Sequence, residues 1–238
     1  YANETIVLPL NNKEAVIEAF KLYKDEVAAV VIEPIPANNG LLIQGKEFLQ
    51  FLRDICTATG TLLLFDEVIS GFRIGFEGAA GYYGIQPDMV AFGKIIGGGF
   101  PVGAYGSSAA VMSMVSPDGP VYQAGTLSGN PVAMAAGHAQ LSECLKPGFY
   151  EALNAKTARL VDTVQAYATS KGYLFRMFHI ESIFWLAFTD KIEIRKASEI
   201  NASSMAYFKI VHESLLESGI YLGPSGYEVG FISAAHSD

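Results

Sequence analysis

The chain has 238 residues, half of them apolar and only 17% charged, against about a quarter charged in an ordinary soluble protein. Lys and Arg number 16 and Asp and Glu 24, a net charge of −8 that disfavours nucleic acid and anionic lipid as partners. The only two cysteines, Cys56 and Cys144, exclude a disulfide framework and a cysteine metal cluster, and they fit a reducing compartment.

The predicted elements alternate along the chain. Ala15, Val16, Ala19, Phe20 and Tyr23 recur at helical spacing, and the apolar run Val27 to Ile32, closed by Glu33-Pro34, predicts a buried strand. Phe48, Phe51, Leu52 and Ile55 mark a second helix ended by Gly60, and Thr61 to Phe65 forms a second buried strand running into Asp66-Glu67. A third strand, Met89 to Phe92, runs into Gly93-Lys94. Strands apolar on both faces and separated by amphipathic helices predict an α/β fold, a mostly parallel central sheet covered by helices. In such sheets ligands lie beyond the carboxyl ends of the strands, where Glu33, Asp66 and Lys94 stand.

From Ile95 to Ser142 the only formal charge is Asp118, and repeated Gly and Pro break the run too often for a membrane span. A core interior, a subunit interface and the wall of a site remain as readings. Ser128-Gly129-Asn130-Pro131 predicts a cap and first turn for a small-residue helix reaching about Leu145. Lys146-Pro147-Gly148 is a break that divides the chain into residues 1–146, part of a large domain, and residues 147–238, a smaller α/β domain incomplete at its end. Beyond the break, the pattern predicts helices over about 149–170 and 203–218. Two strand-like runs are Tyr173 to Phe178 and Ile183 to Thr189, and the apolar Ile220-Tyr221-Leu222 follows the second helix. The chain opens on Tyr1 without a basic and apolar leader, as part of a longer protein would.

Strict phosphate-loop motifs fail. Asp88 stands where the first glycine of a Walker A loop belongs, Ile95 follows the lysine where Ser or Thr should, and no G-x-G-x-x-G follows a strand. The four histidines have no metal-ligand spacing, so no metal is expected. Lys94, with no acid nearby in sequence, has little local support for its charge and is a candidate amine nucleophile; an exposed loop lysine is the alternative. Asp66 at the same sheet edge changes the balance. Pyridoxal phosphate needs such a pair: a lysine for its aldehyde and a carboxylate that keeps its ring nitrogen protonated. Thr126, ahead of the helix opened by Ser128 to Pro131, offers a hydroxyl where a helix N-terminus favours a phosphate.

These segments together resemble the class III aminotransferases: Leu64-Phe65-Asp66-Glu67-Val68 with Gly71-Phe72-Arg73, Gly93-Lys94-Ile95-Ile96-Gly97-Gly98-Gly99 with Pro101-Val102-Gly103-Ala104, and Tyr122 to Pro131. The resemblance covers essentially the whole chain. It implies the fold type I architecture of pyridoxal-phosphate transferases, with pyridoxal 5'-phosphate as cofactor and its pyridoxamine form in the cycle. Lys94 is then the lysine that holds the cofactor and shuttles protons, and Asp66 the partner of its ring nitrogen. Val68 packs behind the ring, Asn38 lies near its phenolic oxygen, and Thr126 reaches the phosphate of the partner subunit's cofactor with Tyr122 nearby. The site is therefore shared across a homodimer. Each residue has a plainer alternative: Val68 as core, Tyr122 as an interface aromatic, Asn38-Asn39-Gly40 as a turn, Glu67 and Arg73 as a structural ion pair.

Within the family, the segment Pro224 to Phe231 resembles the mutase branch, with the acid Glu228 where a carboxylate-binding arginine is absent. An acid disfavours a carboxylate and tolerates an amine. The implied reaction is isomerisation of glutamate 1-semialdehyde to 5-aminolevulinate through 4,5-diaminovalerate, the entry to tetrapyrroles. A class III transaminase acting on another amino or oxo acid, or a non-enzymic relative of the same fold, is the alternative. Met177 to Ser182 departs from the mutase pattern, and the family's N-terminal part is absent, so a companion N-terminal segment is an expected partner. The implied location is cytoplasmic, or plastid where a missing N-terminus carries a transit peptide.

Overall fold

A computed structural model of the chain describes residues 4–237. It divides into two compact units. The first comprises the residues up to Ile6, Lys13–Pro34 and Gly45–Pro147; the second comprises Val7–Asn12, Ile35–Gln44 and the chain from Gly148 onward.

The first unit is an α/β layer built on a four-stranded sheet in the order β1 (Ala29–Ile32), β2 (Leu62–Glu67), β3 (Met89–Phe92), β4 (Ala104–Ser107). The first two pairings are parallel and the last antiparallel, so the sheet is mostly parallel, as its apolar strands predict. Helix α1 (Lys13–Leu22) precedes β1, and α2 (Lys46–Thr59) buries Phe48, Leu49, Leu52 and Cys56. Gly60 ends α2 in the left-handed conformation at φ 72°, where its N–H bonds back to the Cys56 carbonyl. Leu63 and Phe65 of β2 are fully buried. β1 departs from the expected buried strand: it is an edge strand, and Val31 is 65% exposed.

Asp88 ties these elements together. Its Oδ2 accepts from the Leu63 N–H at 2.7 Å and from Arg53 of α2 at 2.7 Å, fixing the approach to β3. After β3 come a one-turn 3-10 helix, Lys94–Gly97, and the short α4 (Ala109–Met112). Asn130 then opens α5 (Pro131–Cys144), its Oδ1 accepting from the Val132 and Ala133 N–H groups at 3.0 and 3.2 Å. Among the described residues no helix is long and apolar enough to cross a membrane.

The second unit is a smaller α/β layer. The sheet β5 (Arg176–Ile180), β6 (Ile183–Ala187), β7 (Gly230–Phe231) is antiparallel throughout and packs with α6 (Phe149–Ser170) and α7 (Ser204–Glu217). The third strand is the pair Gly230–Phe231. Two earlier stretches join this unit, which a linear division after residue 146 does not capture. Gly40 donates its N–H to the Tyr227 carbonyl at 2.7 Å, and the buried Gln44 amide bonds to the Arg195 carbonyl at 3.3 Å. At φ 78°, Gly40 also lies where a Cβ would come within 3.0 Å of the Trp185 ring.

Candidate active site

Two candidate side chains stand at the carboxyl end of the first unit's sheet. Asp66 is the fifth residue of β2 and is paired in register with Ala91 of β3; Lys94 follows β3 after Gly93. Adjacent parallel strands therefore deliver a carboxylate and an amine to one edge, where strand-end backbone is left free to meet a ligand. Asp66 is half-buried, and its Oδ1 accepts from the Val68 N–H at 3.0 Å, which fixes the carboxylate's orientation. Lys94 is exposed and has a left-handed backbone, φ 46°. Val68 lies between the two strand ends: a Cβ on Gly93 would sit 3.2 Å from Val68 Cγ1, so glycine is what allows β3 to leave the sheet this close to the β2 end.

Glu67, next to Asp66, has a different task. Only 1% exposed, its carboxylate accepts from the Ala79 N–H at 2.6 Å, the Ala80 N–H at 3.0 Å and the Ser70 hydroxyl at 3.2 Å, and so caps α3 (Gly78–Tyr83). Burial raises its pKa above the ordinary carboxylate range, against the pull of those donors. The alternation of β2 explains the division of labour between the neighbouring acids: Asp66 and Glu67 point to opposite faces.

Lys94 lines a cavity of roughly 500 Å³ with Arg73, Ile95, Gly98, Gly99, Phe100, Pro101 and Gln140. Burial draws the Arg73 pKa down to about 10, and its Nε–H donates to the Ile69 carbonyl at 3.2 Å. Arg73 and Gln140 were not legible as neighbours of Lys94, since they lie on a loop and a helix whose approach no local pattern encodes. A larger cavity of roughly 930 Å³ in the second unit is lined by apolar side chains such as Leu160, Met177, Phe184 and Leu222. It has the greater volume but lacks Lys94, which lines the smaller one.

The other expected site residues are distributed. Thr126 lies in the exposed turn ahead of α5, and Tyr122, 82% exposed, lies in the same segment of the first unit. Asn38 and Glu228 belong to the second unit; both are exposed, and the Glu228 N–H donates to the Ser225 carbonyl at 2.9 Å.

The chain matches the family described as class-III aminotransferases over residues 2–232. It is 45% identical over 237 residues to a glutamate-1-semialdehyde 2,1-aminomutase of Bdellovibrio bacteriovorus, covering the whole of this chain and 56% of that protein. Among solved structures, an omega-transaminase from Sphaerobacter thermophilus superposes with a TM-score of 0.87 at 36% identity, covering 96% of this chain and 52% of that one. A glutamate-1-semialdehyde aminomutase from Pseudomonas aeruginosa superposes with a TM-score of 0.83 at 25% identity, covering 98% and 53%. The chain thus spans about half the length of the relatives it matches.

Proposed function

Because the chain belongs to the class III aminotransferase family, we propose that it is the lysine-bearing half of a pyridoxal-phosphate enzyme that isomerises glutamate 1-semialdehyde to 5-aminolevulinate. The observation that carries the cofactor assignment is the delivery of Asp66 and Lys94 to one sheet edge by neighbouring parallel strands. The donor set fits that cofactor: an exposed primary amine for an aldehyde carbon, and an oriented carboxylate for a ring nitrogen. When bound, pyridoxal phosphate supplies an electron sink for charge that develops on a substrate carbon.

The residues of this chain do the rest. Asp66, held by the Val68 N–H, keeps a proton on the ring nitrogen. Lys94 would hold the cofactor through its ε-amine and would carry protons between cofactor and substrate carbons. Val68 would pack behind the ring, and Asn38 would serve its phenolic oxygen. Thr126 takes the phosphate of a partner subunit's cofactor with Tyr122 beside it, so that a homodimer shares its sites. Glu228 tolerates an amine better than a carboxylate, which suits retention of a diamine.

The 45% identity to an aminomutase supports this substrate. A transaminase reading is favoured by the omega-transaminase likeness at 36% identity. The two differ in whether a second amino compound is needed. Glutamate 1-semialdehyde supplied without any amino donor, to the protein with its family segments complete, is expected to yield 5-aminolevulinate; a strict need for an added donor contradicts the mutase reading.

A further inference from the structure

We propose that Gly137, in the middle of α5, is a positioning residue for Lys94: it seats the helix backbone directly against the turn that carries the lysine. The inference rests on Lys94 being the cofactor-holding lysine and asks what holds it. A lysine at φ 46° occupies backbone space that L side chains avoid, so its surroundings must impose that conformation. The turn has little of its own to do so. Its internal bonds are single contacts, Ile96 N–H to the Gly93 carbonyl at 3.2 Å, Gly98 N–H to the Ile95 carbonyl at 3.1 Å and Phe100 N–H to the Gly97 carbonyl at 3.0 Å.

The constraint comes from α5. A Cβ on Gly137 would run into the Ile96 carbonyl oxygen, and one on Gly98 would run into the Ala136 carbonyl group, with the carbonyl carbon only 2.7 Å away. Both obstacles are backbone, so neither can yield by a rotamer change. On the other side, Gly97 meets Val102, a Cβ there lying 3.4 Å from Val102 Cβ. The turn is thus held between the α5 backbone and the chain leading into β4. A glycine inside a 14-residue helix weakens that helix relative to alanine, and close approach to the lysine turn is what explains its use here.

The test is amide hydrogen exchange over residues 94–100, with reductive trapping of added pyridoxal phosphate on Lys94 as a second readout. Were Gly137 an ordinary helix residue, Gly137→Ala would leave exchange at the turn unchanged and firm up α5. The seat predicts at least about a tenfold loss of protection at Ile96, Gly98 and Phe100, and at least about a tenfold fall in trapping at Lys94 while trapping at the exposed Lys209 is unchanged. Ser142→Ala, on the exposed part of the same helix, should move neither. Unchanged exchange and trapping in folded Gly137→Ala overturn the proposal. Should that variant not fold, the decision passes to Gly98→Ala and Gly99→Ala. Both place a side chain at positive φ, but only the first meets the α5 backbone, so a loss of turn protection confined to Gly98→Ala supports the seat and equal losses overturn it. If the parent protein does not trap the cofactor at Lys94, the functional reading fails while the exchange arm still decides the seat.

Discussion

Lys94 combines exposure, a primary amine and a left-handed backbone at φ 46°. A Cβ in that region costs roughly 1–2 kcal/mol, and glycine escapes the penalty. Lys94→Gly is therefore expected to exceed Lys94→Ala in unfolding free energy by about 1 kcal/mol in urea, since both lose the side chain and only alanine keeps the Cβ. Equal stabilities would show that the turn does not hold the residue left-handed. Glu67 makes a separate prediction. Burial raises its pKa in the folded chain, so between the ordinary carboxylate value and that raised value the folded state holds a proton the unfolded state has released. Its contribution is greatest below the ordinary value and is lost as pH rises through the raised one. Glu67→Gln should flatten this decline in urea melts taken from about pH 4 to about pH 7. It should also cost about 1–3 kcal/mol at neutral pH, because an amide NH2 then faces the Ala79 or Ala80 N–H. An unchanged pH slope would remove Glu67 as its source.

At the level of elements, Asn130 illustrates how a local signal becomes a tertiary one: it caps α5, and α5 packs on the lysine turn. Asn130→Ala should lower stability by about 1 kcal/mol, read from the urea midpoint, with no change if the cap is dispensable. The elements legible in the sequence were those with dense apolar periodicity. Met89 to Phe92 and residues 149–170 form the predicted strand and helix. β4, Ala-Tyr-Gly-Ser, and α3, Gly-Ala-Ala-Gly-Tyr-Tyr, were not legible, because small residues carry no period and these elements owe their form to pairing with β3 and to the Glu67 cap. Asp66 and Lys94 were legible because strand ends can be read from where an apolar run stops. Arg73, Gln140 and the glycine seat of Gly137 were not, since each depends on how a distant segment comes to rest.

For the whole molecule, the scarcity of charge now has a definite location. Phe100, Tyr105, Met114, Val121, Tyr122, Leu127, Val132 and Met134, all within the nearly uncharged run, are exposed in the single chain. Apolar surface in one contiguous stretch of sequence around a proposed shared site is what a second copy would cover. Sedimentation equilibrium should therefore give about twice the chain's 25.6 kDa, and Leu127→Asp should raise the dimer dissociation constant at least about tenfold, some 1.4 kcal/mol. A monomer at every concentration would assign that surface elsewhere. The central claim is the pairing of Lys94 with pyridoxal phosphate, and its most direct measurement is borohydride reduction of the protein incubated with that cofactor, followed by peptide mass mapping. One cofactor adduct on the peptide containing Lys94, lost in Lys94→Ala, is the predicted result; adducts scattered over the exposed lysines, or none, would contradict it.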